Sequence, residues 1–440
     1  MTLIRRVQAN IDINFPFLKN AKLLVAISGG VDSVVVASML HALNFKIGLA
    51  HCNFKLRGND SDLDEQFVKD WAKEKKISCF ATYFETEQYA KTHKISIEMA
   101  ARDLRYQWFD TLIAEENYDY IITAHHANDN FETTLFNLTR GTGFKGLLGI
   151  PSQNNKTIRP FLPFSRDEIL EYAQKNDIAW REDKSNASDK FTRNIIRHQV
   201  IPVLQDINPN LIGTYNNSLN HLKDIEQILK DRLDVVRNDV FNPLQNGSIS
   251  FDISKVLKLS NPKAYLFELL KDYGFTAWND IENLLYSQPG KQIFSATHRL
   301  VKDRDTCLIS PIDKKQTSNF EIKNLTEGLQ NDKLILTFED VAQADIKNTN
   351  QNLVFVDAVK IKMPLIVRKW QKGDYFHPLG MQGKKKLSDF FQDQKLSLLD
   401  KENTWLLCSN QEIVWIIGRR LDNRYKITES TKKIIKIKYQ

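Results

Sequence analysis

A short polar loop lies between a strand pattern and a helix pattern near the start of the chain. The strand pattern at residues 22–27, Lys22 followed by LLVAI, precedes Ser28-Gly29-Gly30-Val31-Asp32-Ser33, and the apolar run VVVASMLHAL comes next. A glycine turn here lets backbone N–H groups point at an anion, and the N-terminus of the helix adds positive potential. The sequence therefore predicts phosphate binding by residues 28–33, and the alternative is a strand-to-helix turn with serine caps.

Asp32 is the unusual member of this loop, because a carboxylate repels an anion unless a cation lies between them. We therefore regard Asp32 as a candidate Mg²⁺ ligand beside the bound phosphates. The sequence contains no GxxxxGK[ST] motif, which excludes the usual P-loop that handles a γ-phosphate.

Two carboxylates follow the fourth predicted strand, in the segment TAHHANDNFET (residues 123–133). Asp129 and Glu132 are three residues apart and would share one face of a helix. Such a pair could hold a substrate ammonium, bind Mg²⁺ or accept a proton, whereas Asp-x-x-Glu at a helix start is also a capping box. The adjacent His125 and His126 favour a site, but no third ligand at metal spacing lies nearby, so zinc is not expected.

Two pairs of arginines have helical spacing. Arg102 and Arg105 are three residues apart, and Arg193 and Arg197 are four apart. Guanidinium groups near a phosphate-binding loop would stabilise charge that develops on an α-phosphate, or would bind RNA phosphates. The alternative is exposed helix arginine paired with an acidic neighbour such as Glu98.

Strand and helix patterns alternate along the first 200 residues. The strand patterns lie at residues 22–27, 46–51, 77–84 and 118–126. This alternation predicts βαβ units and a doubly wound, mostly parallel sheet, which opens a crevice at the carboxyl ends of its strands. Residues 123–133 are expected at that crevice, and four glycines between residues 141 and 149 predict a flexible loop over it, or an ordinary long turn.

The patterns change twice after residue 200, and we predict three domains. Residues 1–214 form an α/β domain, residues 215–315 a mainly helical middle domain, and residues 330–440 a small basic domain of mixed α/β type. The segment between the last two is polar and rich in turn residues.

The basic charge is concentrated at the end of the chain. The net charge is +7, yet residues 361–440 carry 17 Lys and Arg against 8 Asp and Glu, and the remaining residues sum to −2. Such a segment is typical of a surface that binds a polyanion, with nucleic acid as the first candidate. The alternative is a solvated basic face without a partner.

Composition excludes several classes of protein. With 42% hydrophobic and 26% charged residues, the chain is neither a disordered tail, a fibrous repeat nor a disulfide-stapled miniature. No run of 18 apolar residues predicts a membrane span, and the first residues lack the apolar core of a signal peptide. The four cysteines form no CxxC pair, so the sequence predicts a reduced, cytoplasmic enzyme without a zinc knuckle or redox dithiol.

The loop SGGVDS resembles the PP-loop of the N-type ATP pyrophosphatases. That resemblance implies cleavage of ATP between its α and β phosphates and adenylation of a carbonyl oxygen. Because the superfamily serves several substrates, the loop alone leaves the acceptor open.

Further blocks resemble one family of that group, the tRNA(Ile)-lysidine synthetases. The similar blocks are HCNFKLRG (51–58), EMAARDLRY (98–106), TAHHANDNFET (123–133), RGTGFKGLLGI (140–150), RPF (159–161), REDKSN (181–186), RNIIR (193–197) and the C-terminal KWQKGDYFHPLGMQGKKKLSDFFQDQK. The sequence departs from the family pattern at Phe54, where a second histidine is usual, and at Asn130, where glutamine is usual.

The resemblance implies a reaction and its partners. The wobble cytidine of a tRNA(Ile) with a CAU anticodon would be adenylated by ATP with Mg²⁺, and free L-lysine would then attack carbon 2 and release AMP. The second and third domains would bind tRNA, and a homodimer is compatible with the family. The implied catalytic residues are Asp32, Arg105, Asp129, Glu132 and Arg197; the ATP-binding residues are Ser28, Gly29, Gly30, Val31, Asp32 and Ser33; the tRNA-binding residues are Arg193, Lys384, Lys385, Lys386, Arg419 and Arg420; and Asp32 is the candidate Mg²⁺ ligand.

Three rival functions remain open from the sequence. A tRNA thiolase would share the loop but requires catalytic or cluster-binding cysteines, and the four here are scattered. A small-molecule ligase of the superfamily has no evident need for a strongly basic terminal domain. A tRNA-binding protein with an inactive loop is disfavoured because Ser28, Asp32, Asp129 and Glu132 are all present.

Overall fold

A computed structural model describes residues 1–182, 192–244, 247–312, 319–331, 334–344, 350–381 and 383–440. The chain divides into two compact units, Met1–Leu229 and Lys230–Gln440. Among the described residues, no helix has the length and apolar character needed to cross a membrane.

The first unit contains one six-stranded sheet. Its strands are β1 (Lys22–Ala26), β2 (Lys46–Asn53), β3 (Cys79–Tyr83), β4 (Tyr120–Ile122), β5 (Gln153–Asn154) and β6 (Thr157–Ile158). Their order is β3-β2-β1-β4-β6-β5, and all pairs are parallel except β5 with β6. The predicted doubly wound, mostly parallel sheet is confirmed.

Helices surround this sheet. They are α1 (Leu3–Asn14), α2 (Val31–Ala42), α3 (Asn59–Lys75), α4 (Thr86–His93), α5 (Ile97–Glu115), α6 (Ala127–Thr139), α7 (Phe144–Leu147), α8 (Arg166–Lys175), α9 (Thr192–Ile195), α10 (Ile201–Ile207) and α11 (Leu211–Val240), which continues into the second unit. A π-helical turn, Ile196–Val200, joins α9 to α10.

The two faces of the sheet carry separate cores, because successive side chains of a strand point to opposite faces. On one face, which we call the α2 face, Val25 of β1 packs with the buried residues of α2 and α8. On the other, the α5 face, Leu24 of β1 and Ile121 of β4 pack with Phe109 and Leu112 of α5. The same alternation therefore assigns a residue just beyond the end of a strand to either the α2 face or the α5 face.

The second unit contains antiparallel sheets and short helices. Its strands are β7 (Phe241–Pro243), β8 (Ile249–Asp252), β9 (Gln292–Phe294), β10 (His298–Asp303), β11 (Thr306–Pro311), β12 (Phe320–Ile322), β13 (Leu329–Gln330), β14 (Ile335–Val341), β15 (Leu353–Asp357), β16 (Leu365–Lys369), β17 (Tyr375–Phe376), β18 (Lys385–Lys386), β19 (Trp405–Ser409), β20 (Glu412–Ile416), β21 (Arg420–Leu421) and β22 (Ile434–Tyr439). Its helices are α12 (Ile253–Leu257), α13 (Pro262–Leu270), α14 (Trp278–Leu284), α15 (Leu387–Asp393) and α16 (Leu398–Asn403).

The strands of the second unit form two main regions. One sheet has the order β7-β8-β11-β10-β9 and accompanies the helices predicted between residues 215 and 290. The helical pattern gave no indication of β7 and β8. Two further sheets, β12-β16-β19-β20-β21 and β13-β14-β22-β15, share a core that includes Trp405 and Trp415, as expected for strand residues.

The three-domain division at residues 214, 315 and 330 stays a prediction. Of the REDKSN block, Asp183, Lys184, Ser185 and Asn186 lie outside the described residues, as do residues 315–318 of the predicted linker.

Candidate active site

The loop between β1 and α2 is braced by its own serines. The hydroxyl of Ser33 donates to the carbonyl of Gly30 at 2.9 Å and accepts the backbone N–H of Ser28 at 3.1 Å. Gly29 has a φ of +94°, a conformation that favours glycine, and Gly30 is the N-cap of α2. The twelve-residue helix α2 therefore begins directly behind the loop, as the phosphate-binding prediction requires.

Asp32, His126 and Asp129 lie together at the carboxyl end of the sheet. His126 Nε2 is 3.8 Å from Asp32 Oδ2 and 3.4 Å from Asp129 Oδ2. Burial raises the pKa of Asp32 and that of Asp129, and it lowers the pKa of His126. One oxygen of Asp32, Oδ1, is buried without a hydrogen-bond partner. An orphaned carboxylate oxygen beside a phosphate-binding loop fits a divalent cation.

Arg197 clamps the two carboxylates of α6. Its Nε lies 2.6 Å from Glu132 Oε1 and its Nη2 lies 2.8 Å from Glu132 Oε2, while Nη2 is 3.3 Å from Asp129 Oδ1. The predicted shared face of Asp129 and Glu132 is therefore present. Arg197 reaches it from the π-helical turn, and such turns are frequent at functional sites.

Helix α6 begins earlier than the carboxylate spacing suggested. A capping box is present, but it joins His126 to Asp129 rather than Asp129 to Glu132. The backbone N–H of His126 donates to Asp129 Oδ2 at 3.1 Å, and that of Asp129 donates to His126 Nδ1 at 3.4 Å. Since Nδ1 accepts this hydrogen bond, the neutral imidazole carries its proton on Nε2, towards the two carboxylates.

The predicted flexible loop over the site contains the short helix α7 and is anchored on α6. Asn130 Oδ1 accepts the N–H of Ile150 at 2.6 Å, and Asn137 Nδ2 donates to the carbonyl of Gly146 at 3.0 Å. Asn130 is fully buried. The departure at Asn130 therefore concerns support of the glycine loop.

Arg105 lies away from these carboxylates, on the α5 face. Its guanidinium stands 5.3 Å from the ring centre of Phe54, the other departure from the family pattern. Arg102 stands 5.0 Å from the ring centre of Tyr106. The alternative of an ion pair with an acidic neighbour such as Glu98 is seen for neither Arg102 nor Arg105 among the described residues. Arg193 donates to the hydroxyl of Thr133 at 3.1 Å, which places it at the α6 side with Arg197.

Sequence reasoning missed Arg166 and Asp64, and it gave Arg181 only as part of the REDKSN block without a role. The positive charge of Arg166, at the start of α8, favours the ionised forms of Asp32 and Asp129. The carboxylate of Asp64 on α3 binds the guanidinium of Arg181, whose backbone N–H donates to the carbonyl of Gly29 at 3.0 Å. Arg166 lies inside the Ser165-x-x-Glu168 capping box, a local signal for the start of α8; no local signal marked the contact with Gly29.

Three family models match the chain. A PP-loop domain matches residues 3–204, a TilS substrate binding domain matches residues 244–312, and a TilS substrate C-terminal domain matches residues 365–438.

Curated relatives match almost the whole length. A protein of Parabacteroides distasonis named tRNA(Ile)-lysidine synthase is 40% identical over 420 residues, which cover 94% of this chain and 95% of the relative. The chain belongs to the tRNA(Ile)-lysidine synthase family. Relatives with the same name from Bacteroides thetaiotaomicron and Bacillus subtilis are 40% and 30% identical, over 98% and 91% of this chain and 98% and 90% of their own lengths.

Membership of the tRNA(Ile)-lysidine synthase family confirms three predictions made from the sequence. The loop at residues 28–33 belongs to an ATP-using PP-loop domain, the chain is a ligase of the lysidine synthase type, and it is a tRNA-modifying enzyme. The roles of individual residues remain predictions.

The cysteines do not suit the thiolase alternative to a lysidine synthase. Burial raises the pKa of the Cys52 and Cys307 thiols to about 12 and that of Cys408 to about 11. Burial also raises the pKa of Cys79. Because the nucleophile and metal ligand is the thiolate, these four thiols are suited to packing.

The three consecutive lysines of the basic C-terminal segment have different surroundings in the structure. Lys384 and Lys386 are exposed, whereas Lys385 forms an ion pair with Asp393. Lys384 stands 5.1 Å from the ring centre of Tyr375. The exposed Arg420 donates to the carbonyl of Leu379 at 3.0 Å, and its neighbour Arg419 is half-buried.

Proposed function

We propose that this chain ligates L-lysine to carbon 2 of the wobble cytidine of a tRNA(Ile) with a CAU anticodon. The carbonyl oxygen of the cytidine attacks the α-phosphate of ATP and pyrophosphate leaves. The ε-amine of lysine then attacks carbon 2 and expels AMP. The observation that carries the proposal is the cluster of Asp32, His126, Asp129, Glu132 and Arg197 behind a PP-loop, in a chain that matches lysidine synthases along its length.

The loop residues 28–33 would bind the phosphates of ATP. The serine hydroxyls hold the loop in shape, and the first turn of α2 directs its positive end towards the phosphates. Asp32 would hold Mg²⁺ through its unpartnered Oδ1. When bound, the cation neutralises charge on the departing pyrophosphate.

The two carboxylates of α6 have different surroundings, which supports different roles. Both oxygens of Glu132 are bound by Arg197, so Glu132 and Arg197 would form a fixed wall of the lysine site. Asp129 has a single, longer contact with Arg197. Since free lysine is largely protonated at neutral pH, its ε-amine must lose a proton before it attacks. We assign that proton to Asp129 because its contact with Arg197 is longer than those of Glu132 and because burial raises its pKa.

The tRNA would be bound by the exposed cations of the second unit. Lys384, Lys386 and Arg420 are exposed, and Lys384 has the exposed ring of Tyr375 beside it. Lysine and arginine on such a surface bind the phosphate backbone, which positions the RNA without reading its sequence. Arg193 and Arg419 remain further predicted tRNA contacts.

The proposal is tested by following labelled lysine into RNA with ATP and Mg²⁺ present. We expect incorporation into tRNA(Ile) with a wobble cytidine, with one AMP released for each lysine transferred. The elongator methionine tRNA, which has the same anticodon, is the matched control and should remain unlabelled. AMP release without lysine in the RNA would keep the adenylation step and reject lysine as the nucleophile. RNA binding with neither product would favour a binding protein.

A further inference from the structure

Arg102, Arg105 and Arg159 of the first unit differ from the arginines that the structure shows in ion pairs. Arg57 and Arg181 share the carboxylate of Asp64, and Arg197 binds Asp129 and Glu132. In the part of the chain that the structure describes, no carboxylate lies within 4 Å of the guanidinium groups of Arg102, Arg105 and Arg159. Two of them stand over aromatic rings, and the third lies in the interior.

Arg159 is the most informative of the three because it is only 3% exposed. Its Nη1 donates to the carbonyl of Pro151 at 2.8 Å, and its Nε is buried without a partner. A buried cation with one neutral acceptor is costly unless an anion lies near it. Because no counter-charge compensates it, Arg159 produces a positive potential in the region that its side chain faces.

Strand register shows which way Arg159 faces. Ile122 of β4 is paired with Ile158 of β6, and the N–H of Thr123 donates to the carbonyl of Ile158 at 3.2 Å. The next residues, Thr123 and Arg159, lie side by side on the face opposite Ile158, which belongs to the α2-face core. Arg159 thus points to the α5 face, where Arg102 and Arg105 extend from the first half of α5.

His125 is close enough to all three arginines to be affected by their charges. Its Nδ1 is 2.9 Å from the hydroxyl of Thr123. Burial, followed by the charges of Arg159, Arg105 and, more weakly, Arg102, lowers the pKa of His125 to about 3, so the imidazole is neutral. The three guanidinium groups therefore act on a neutral side chain that offers them no compensating charge.

The ATP loop is served by a different set of cations. Arg166 and Arg197 act on Asp32, which faces His126, whereas Arg102, Arg105 and Arg159 act on His125. The sheet edge therefore carries one group of arginines on each of its two faces. Such an arrangement suits a reaction between two polyanionic substrates, here ATP and tRNA. A target base must be turned out of its loop to react, which brings the phosphates on either side of it to the site.

We propose that Arg102, Arg105 and Arg159 form a binding site for the RNA phosphodiesters that flank the reacting cytidine, on the α5 face of the sheet edge. This inference rests on the proposed function, because it takes tRNA as the second substrate. Arg102 and Arg105 contact the phosphates, and Arg159 acts from behind them as a fixed charge. Arg105 is thereby assigned to RNA instead of to the α-phosphate of ATP.

The test combines arginine variants with modified RNA. Arg102→Gln and Arg159→Met are compared with the wild type for binding of a tRNA(Ile) transcript across a salt series, and for the KM of ATP. Each should weaken RNA binding about fivefold to tenfold and reduce the slope of log K against log salt by about 1, with the KM of ATP unchanged. Arg5→Gln, which removes an exposed arginine of α1, is the matched control and should change neither value.

Neutral linkages identify the phosphates. A transcript with methylphosphonates on both sides of the wobble cytidine should bind the wild type at least as weakly as the normal transcript binds Arg102→Gln, because Arg105 also loses its phosphate. The two changes should not add when combined. Additive effects, unchanged RNA binding in Arg102→Gln, or a raised KM for ATP would each overturn the proposal, the last by showing that the site holds nucleotide phosphates.

Failure of the site and failure of the proposed function give different results. Because RNA binding is measured without lysine, a wild type that binds tRNA(Ile) with the expected salt slopes but transfers no lysine rejects the reaction and keeps the phosphodiester site. Arg159→Met is judged only if its melting temperature matches that of Arg5→Gln. If Arg159→Met fails to fold, Arg102→Gln on the exposed helix surface decides the question.

Discussion

Asp129 takes part in two sets of contacts at once. Its Oδ2 accepts the N–H of His126 at the start of α6, and its Oδ1 contacts Arg197. A substitution that removes the side chain therefore removes both a helix cap and a charge. Asparagine keeps an acceptor for the cap, which isolates the charge.

We expect Asp129→Asn to lower the rate of lysine transfer by at least about 10²-fold, since a proton acceptor contributes that much to catalysis. The dissociation constant for tRNA should stay within about twofold, because Asp129 makes no predicted RNA contact. Single-turnover lysine transfer and filter binding measure the two quantities. Equal losses in both would show that Asp129 supports the RNA site.

His125 gives a pH prediction whose sign follows from its burial. Its pKa is about 3 in the folded protein, against about 6.5 in an unfolded chain. Between these values the unfolded chain binds a proton that the folded one does not, so the free energy of unfolding falls as pH falls. His125→Gln should remove up to about 1.4 kcal/mol of this loss per pH unit.

Melting temperatures of the wild type and of His125→Gln at pH 7.5 and 5.5 measure this difference. The wild type should lose more stability on acidification than the variant does. Parallel losses would show that His125 is protonated in the folded protein.

At the scale of elements, α6 supports both the carboxylates and the glycine loop. A Cβ on Gly149 would lie 2.0 Å from Asn130 Oδ1, and the φ of Gly149 is +67°. Gly149→Ala should therefore destabilise the protein by about 1–3 kcal/mol. Gly143→Ala is the control, because a Cβ there meets nothing within 4 Å and its φ is −80°.

Denaturant unfolding followed by helical circular dichroism measures both variants. Asn130→Ala combined with Gly149→Ala should lose less stability than the sum of the two single losses, since the colliding oxygen is already gone. If Gly149→Ala had the same free energy of unfolding as the wild type, the loop would have to move away from α6 without cost.

An element could be predicted from the sequence where the residues that fix it are neighbours along the chain. The β1–loop–α2 unit was predictable because a strand, a glycine turn and an apolar helix follow one another. The start of α6 was not, because the N–H of Ala127 is satisfied by the carbonyl of Phe164, far along the chain. The same holds for the clamp on Glu132, whose partner Arg197 is 65 residues away.

At the scale of the whole molecule, the surplus of positive charge lies in the second unit. The concentration of cations in residues 361–440 was evident from composition, but their pairing was not, because Lys385 meets Asp393 only through the fold. The effective charge for RNA is therefore smaller than the lysine run suggests.

The charge pattern predicts unequal effects within that run. Lys384→Glu combined with Lys386→Glu should weaken tRNA binding and reduce the salt slope by about 2, since two phosphate contacts are lost. Lys385→Gln, whose charge is already paired, should change the slope less. A salt series of filter-binding constants measures all three proteins. An unchanged slope in the double variant would remove this surface from the tRNA site.

The proposed reaction requires the cytidine oxygen to become bonded to the α-phosphate of ATP before lysine attacks. A tRNA(Ile) transcript whose wobble cytidine carries ¹⁸O at carbon 2 tests this directly, with mass spectrometry of the AMP released during one turnover. The proposed route predicts that the ¹⁸O leaves the base and appears in the phosphate of AMP as lysine enters the RNA. AMP without ¹⁸O, accompanied by lysine in the RNA, would contradict the adenylated cytidine.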